Sequence, residues 1–282
     1  MTAADWRPAG SIDALKARAG FLRRIRRFFD DRGVLEVQTP VLMPCTVTEP
    51  MIDSIPVPDL GYLQTSPEYA MKRLLAAGMP AIYQLGPVFR AGERGRWHNP
   101  EFTILEWYRP GFDDNGLMAE VAALVTDLLG EAAVRAVRYR DLVPGGLTGD
   151  AADLAYAEAC AGLSGRCFVT HFPREQAALA RLHADGDTAA RFELIVDGVE
   201  VANGYFEAGD AEELRERFLA DNRRRCELGK PQPIPDEALL AAARAGLPAC
   251  AGVAMGVDRL FMLSIGARHI DEVLTFPHQE SR

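Results

Sequence analysis

Apolar residues at Ile12, Leu15, Ala19, Leu22, Ile25 and Phe28 fall three and four apart, which predicts a helix over residues 11–32. Ser11 can cap its start and Gly33 can end it. The opposite face carries Lys16, Arg18, Arg23, Arg24, Arg26 and Arg27. Such a face is either solvated or turned toward an acidic protein partner. A short extended run at 34–37 leads to Thr39-Pro40. Ser66-Pro67-Glu68 signals a second helix, with Ser66 as cap, Pro67 at the first helical position and Gly78 at its end. Residues 81–85 and 102–109 read as strands joined by a polar, glycine-containing loop, and 115–130 reads as an apolar helix. Residues 131–190 are alanine-rich and carry little pattern. Asp197-Gly198 between two apolar runs predicts a hairpin over 193–203. A helix near 236–245, a glycine-rich run at 252–256 and an apolar helix from Asp258 complete the pattern. Strands near both ends with helices between them predict an α+β fold around one largely antiparallel sheet, as a single domain over residues 1–282.

Composition narrows the class. The 282 residues have room for one large domain, and 48% hydrophobic with 25% charged residues permits a sizeable core. Lys and Arg number 31 against 40 Asp and Glu, a balance of −9. That argues against a protein that holds nucleic acid mainly through phosphate contacts. The five cysteines (45, 160, 167, 226 and 250) are odd in number and form no Cys-x-x-Cys pair. They predict reduced thiols of a cytoplasmic protein, not a disulfide framework or a zinc site. The first ten residues include Asp5 and Arg7 and no apolar stretch, so neither a signal peptide nor an anchor is expected. No run approaches the ~18 apolar residues of a membrane span.

Three constellations carry chemistry. Along a strand over 102–109, alternation puts Phe102, Ile104, Glu106 and Tyr108 on one face. That row makes a poor core and a good floor for a polar ligand. Arg90, at the mouth of the preceding loop, could reach a phosphate placed over Phe102, since its guanidinium stays charged and can bind two oxygens at once. A plain structural hairpin is the competing reading. The hairpin at Asp197-Gly198 pairs Ile195 with Glu200 and sets Glu193 diagonally from Glu200 on the same face. Two carboxylates that close call for a cation, either Mg²⁺ bridging nucleotide phosphates or a Lys or Arg on a surface hairpin. In the run 252–259, small residues at alternate positions allow a ligand close to the backbone. Asp258 can cap the next helix, and Arg259 in its first turn opposes the helix dipole unless an anion or a ring meets it.

In this order the three runs resemble the signature of the class II aminoacyl-tRNA synthetases. The Arg90 loop with Phe102 is similar to the family's second motif, and residues 252–259 to its third. The helix from Ser11 leading to Pro40 is similar to its first, which forms a dimer interface. Thr65-Ser66-Pro67-Glu68, His98-Asn99-Pro100-Glu101-Phe102-Thr103, Glu106-Trp107-Tyr108 and Ala202-Asn203-Gly204-Tyr205-Phe206-Glu207 point to the lysine branch. The resemblance covers nearly the whole chain and is thin between 131 and 170. Lysyl-tRNA synthetases carry an N-terminal anticodon-binding domain, for which the residues before Ser11 leave no room. The resemblance is closer to the free-standing ligases that activate (R)-β-lysine with ATP and attach it to a lysine ε-amine of elongation factor P.

The resemblance implies a homodimeric enzyme that uses ATP and Mg²⁺ and a protein acceptor in place of tRNA. Arg90 would bind the α-phosphate, and Phe102 and Arg259 would sandwich the adenine. Asn99, Val201 and Gly256 would line the nucleotide site, and Glu193 with Glu200 would hold Mg²⁺. Ser66 and Glu68 would meet the amino end of β-lysine, and Tyr108 and Glu207 its distal ammonium. Two positions depart from the pattern. Gly92 stands where the family usually has an acid, with Glu93 one position on. Ala254 stands where lysyl-tRNA synthetases have Gly, which would favour a ligand other than α-lysine. The rival readings are a truncated synthetase using α-lysine and an inactive paralogue acting as a binding subunit. The second would be expected to have lost Arg90, Arg259 or the Glu193/Glu200 pair, and all four are present.

Overall fold

In the computed structural model, residues 6–278 are described. The reading of the N-terminus rests partly on residues 1–5, which lie outside the described residues. Ser11 caps α1 (Ile12–Asp30), its hydroxyl accepting from the Ala14 amide at 3.1 Å. Gly33, at φ +64°, follows its end. The buried stripe of α1 is Phe21, Ile25, Phe28 and Phe29, rotated from the one counted off Ile12, which is 58% exposed. Aromatic rings bury more apolar area than Ala19 or Ile12 could, so they set which face turns inward. On the basic face, Arg18, Arg24 and Arg26 pair with Asp258, Asp127 and Glu36 within the chain.

After β1 (Leu35–Glu36), the short strands β2 (Leu42–Met43), β3 (Pro56–Val57) and β4 (Gly61–Leu63) form a small sheet in the order β2-β4-β3. The cap position of α2 (Glu68–Ala76) is Pro67, one residue later than expected. Ser66 still serves the helix start, because its hydroxyl accepts from the Glu68 amide at 3.0 Å. β5 (Ile82–Phe89) runs four residues past the expected strand, through Gly86-Pro87, and pairs antiparallel with β6 (Glu101–Pro110). Proline is tolerated there because β1 covers only Ile82 and Tyr83, so no strand pairs with the outer edge at Pro87, whose carbonyl accepts from the Gln64 side chain at 3.0 Å. Asp113 and Gly130 bracket α3 (Asp114–Leu129).

The alanine-rich stretch holds β7 (Val134–Arg138), α4 (Tyr139–Leu142), α5 (Gly149–Ala161) and β8 (Arg166–Pro173). β8 is buried on both faces, so it shows no alternation for a pattern search to find. The predicted hairpin is β9 (Thr188–Val196) and β10 (Val199–Phe206). Its turn residues Asp197 and Gly198 both take positive φ. There follow α6 (Ala211–Glu227), a polar helix the apolar pattern did not reveal, α7 (Glu237–Gly246), β11 (Cys250–Gly256) and α8 (Val257–Ile265).

The main sheet has the order β1-β5-β6-β11-β10-β9-β8-β7, antiparallel except for the β1–β5 and β7–β8 pairs at its edges. One face packs against α1, α3 and α8 in a core that includes Phe29, Tyr83, Leu105, Trp107, Met255 and Phe261. Alternation along β6 sends Leu105 and Trp107 into this core and leaves Phe102, Ile104, Glu106 and Tyr108 on the opposite face, where the cavity lies.

Candidate active site

β6, β11 and β10 form the floor of one cavity with two chemically different ends. At the first end, Arg90 leaves β5 with its guanidinium 5.1 Å from the Phe102 ring centroid. Gly92 adopts φ +74°, a left-handed conformation open to glycine, and the turn brings Glu93 back to within 3.5 Å of Arg90. The departure from the second-motif pattern thus has a backbone reason: the turn residue takes a conformation that glycine adopts most readily, and the acid stands one position later.

Arg259 enters from the first turn of α8. Its guanidinium donates to the carbonyl oxygens of Glu200 at 2.9 Å and Trp97 at 3.3 Å, and it contacts His98 Nε2. Burial and the Arg259 charge hold His98 below its ordinary pKa, so the neutral ring can accept from the guanidinium. Asp258 does not cap α8; Gly256 holds that position. The Asp258 carboxylate is buried and instead accepts from the Thr103 amide at 2.7 Å and pairs with Arg18 at 2.5 Å. This ties the α8 start, and with it Arg259, to β6. Asn99, Val201 and Gly256 also line this end. The Asn99 amide group is already engaged, donating to the Glu101 carbonyl at 2.6 Å and accepting from the His278 amide at 3.0 Å.

The second end is rich in carboxylates. Glu106 accepts from the Tyr108 hydroxyl at 2.7 Å and from the Ser66 hydroxyl at 2.8 Å. Glu68 and Glu207 flank the ammonium of Lys72, which lies 2.6 Å from each. Burial and the neighbouring Glu68 raise Glu106 to about 7. Burial, resisted by Lys72 and reinforced by Glu68, raises Glu207 to about 8. Gly252 on β11 makes this end possible, because a Cβ there would lie 2.2 Å from the Tyr108 ring and 2.5 Å from Glu207 Oε1. Ser66, Glu68, Tyr108 and Glu207 all line the cavity, as does Ala254. Lys72 escaped the sequence reading. Its only signal was a lysine four residues after Glu68 on a predicted helix.

The Glu193/Glu200 pair is not built as expected. Ile195 does face Glu200, but a bulge between Glu200 and Ala202 shifts the register so that Glu193 lies opposite Asn203. Glu200 lines the cavity with 45% of its side chain accessible. The surrounding protein and Glu193 together raise it to about 7. Glu193 is buried behind the cavity wall, and its carboxylate accepts from Tyr156 at 2.6 Å and from Arg191. Glu200 therefore fits a divalent cation shared with phosphates. Glu193, with one protein donor on each oxygen, is not among the residues lining the cavity, so the carboxylate that faces it here is that of Glu200.

A further wall comes from the loop before β3. Val47, Glu49 and Ile52 line the cavity there with Asp221 of α6, which accepts from Thr48 at 2.7 Å. The buried Arg225 donates to the carbonyls of Glu49 and Ile52 and to the Asp53 carboxylate, fixing this loop to α6. The Ala91 amide donates to the Asp53 carbonyl at 2.7 Å, so the loop and the Arg90 turn are joined.

Residues 2–280 match the family described as tRNA synthetases class II (D, K and N). A protein of Proteus mirabilis (strain HI4320) named elongation factor P–(R)-beta-lysine ligase is 43% identical, with 97% of this chain and 98% of that protein aligned. A protein of the same name from Vibrio cholerae is 42% identical over 98% of this chain and 99% of its own. One from Hamiltonella defensa is 40% identical over 98% of each. The chain belongs to the class II tRNA synthetase family (D, K and N), among relatives named elongation factor P–(R)-beta-lysine ligase.

Proposed function

We propose that the protein is a ligase that adenylates (R)-β-lysine with ATP and transfers it to a lysine ε-amine of elongation factor P. One observation carries this reading. A single cavity joins a guanidinium end, Arg90 and Arg259, to an end with three carboxylates, of which Glu68 and Glu207 share the one lysine and Glu106 has hydroxyl donors alone. The first end suits a triphosphate. The second lacks two positive charges, which a lysine isomer supplies on its two ammonium groups. The names of the relatives support the β-isomer and the protein acceptor.

In this reading the substrate carboxylate attacks the α-phosphorus and pyrophosphate leaves. Arg90 binds the α-phosphate and balances the charge that grows during attack. Phe102 and Arg259 hold the adenine, with Asn99, Val201 and Gly256 around the nucleotide. Ser66 and Glu68 orient the amino end of β-lysine, and Tyr108 and Glu207 take the distal ammonium through charge-assisted bonds. Mg²⁺, held by Glu200 together with phosphate oxygens, would neutralise charge on the leaving pyrophosphate. Glu193 stands behind Glu200 and adds negative potential without touching the cavity. The acceptor amine then attacks the acyl carbon and AMP leaves, so no side chain needs to act as a nucleophile. Catalysis is mostly positioning and charge balance.

Residues 1–282 act as one catalytic unit, in the cytoplasm and as a homodimer. The exposed apolar residues Leu35, Val41 and Leu42, which follow α1, support the dimer. Mass spectrometry of elongation factor P after incubation with this protein, ATP and each lysine isomer tests the reading. A gain of one lysyl residue with (R)-β-lysine is expected. No gain with any isomer would overturn it.

A further inference from the structure

Lys72 contributes no atom to the cavity wall, yet it organises the acid end from behind. It is fully buried in α2, and its ammonium lies 2.6 Å from Glu68 Oε1 and 2.6 Å from Glu207 Oε2. Glu68 is one turn earlier on the same helix, whereas Glu207 directly follows β10. A buried ammonium must be paired. This one holds two acids, from two different elements, and both line the cavity. Glu106 on β6 is the third carboxylate, with Ser66 and Tyr108 hydroxyls as its donors and no cation. The other groups around Lys72 and Glu207 leave this balance unchanged. Arg181 reaches the Glu207 main-chain carbonyl, at 2.7 Å, and Tyr69, Tyr108 and the Cys250 thiol stay neutral because burial raises all three.

We infer that Lys72 is a positioning residue that sets the substrate class. It pins Glu68 and Glu207 at fixed points, one for each ammonium of a diamino acid, and leaves the pocket with two more carboxylates than cations, an excess that such a substrate balances. A substrate with one ammonium would leave the pocket one cation short, which a site of this kind rejects strongly. The inference rests on the reading of this cavity as an amino-acid site.

ATP–pyrophosphate exchange by the wild-type protein with (R)-β-lysine, α-lysine and the one-ammonium analogue 6-aminohexanoate comes first. Inactivity with every diamino acid would sink the proposed function itself. Given wild-type activity, Lys72→Met, similar in length and uncharged, is compared. The KM for the diamino acid is expected to rise about 30-fold or more, while the KM for ATP stays within about twofold. The acid limb of the kcat/KM profile should also move up by about one pH unit, because Glu207, and at longer range Glu106, lose the Lys72 charge that opposes their protonation. An unchanged diamino-acid KM, or equal losses for both substrates together with a lowered Tm, would overturn the inference. Should the methionine variant not fold, Lys72→Gln, whose amide can still donate to both carboxylates, takes the same measurements. Failure of both variants to fold would make Lys72 a folding determinant and would also overturn it.

Discussion

Glu207 is buried among like charges and stands at about 8, with Glu106 at about 7. Both are raised above the ordinary carboxylate range, so around neutral pH these carboxyls retain part of their protons until a further cation joins them. An arriving ammonium favours the ionised form, and those protons must leave on binding. Affinity for the diamino acid should therefore strengthen as pH rises from about 6 to 8.5. Calorimetry in two buffers of different ionisation heat should detect proton release; heats independent of the buffer would contradict the charge assignment. Arg259 belongs to the same scale. It lines the cavity with 22% of its side chain accessible and, among the described residues, reaches Trp97, His98 and Glu200. Arg259→Ala should cut pyrophosphate exchange by about 100-fold or more, with Tm nearly unchanged. Undiminished exchange in a folded variant would refute its role at the nucleotide.

Among the elements, β11 shows how backbone shape serves chemistry. Gly252 faces Tyr108 and Glu207 so closely that a single methyl would displace both. Gly252→Ala should raise the KM for the amino acid more than that for ATP, and should cost about 1–3 kcal/mol of stability through overpacking. Thermal unfolding and exchange kinetics measure both effects, and a variant with wild-type KM values would show that the wall can give way. The hairpin of β9 and β10 was legible because its two turn residues obey a local rule of positive φ. Its bulge was not. A strict count from the turn sets Glu193 opposite Ala202 and diagonal to Glu200, whereas one extra residue at Val201 moves it opposite Asn203, one position further from Glu200. β7 and β8 were hidden for a different reason. One lies at a sheet edge and the other is buried on both faces, so neither shows the period of two that marks a half-buried strand.

For the whole molecule, the two ends of the cavity come from segments spread along the chain, and the sheet brings them together. The apolar residues after α1 remain open, with Leu42 38% exposed. Sedimentation should give twice the 30.9 kDa chain mass, and Leu42→Glu should shift the protein toward the monomer. A monomeric wild-type protein would refute the dimer.

The sequence by itself determined the order of the motifs, the two-faced strand from Phe102 to Tyr108 and the turn at Asp197-Gly198. These follow from rules that act over a few residues: side-chain alternation, helix spacing and the freedom of glycine. Only the tertiary structure decided which partner each charge takes. It placed Lys72 between Glu68 and Glu207, Asp258 on the Thr103 amide instead of on its own helix, and Glu193 behind Tyr156 and Arg191. A buried charge must find a counter-charge or donor wherever the packed chain offers one, and no periodicity along the sequence encodes that choice.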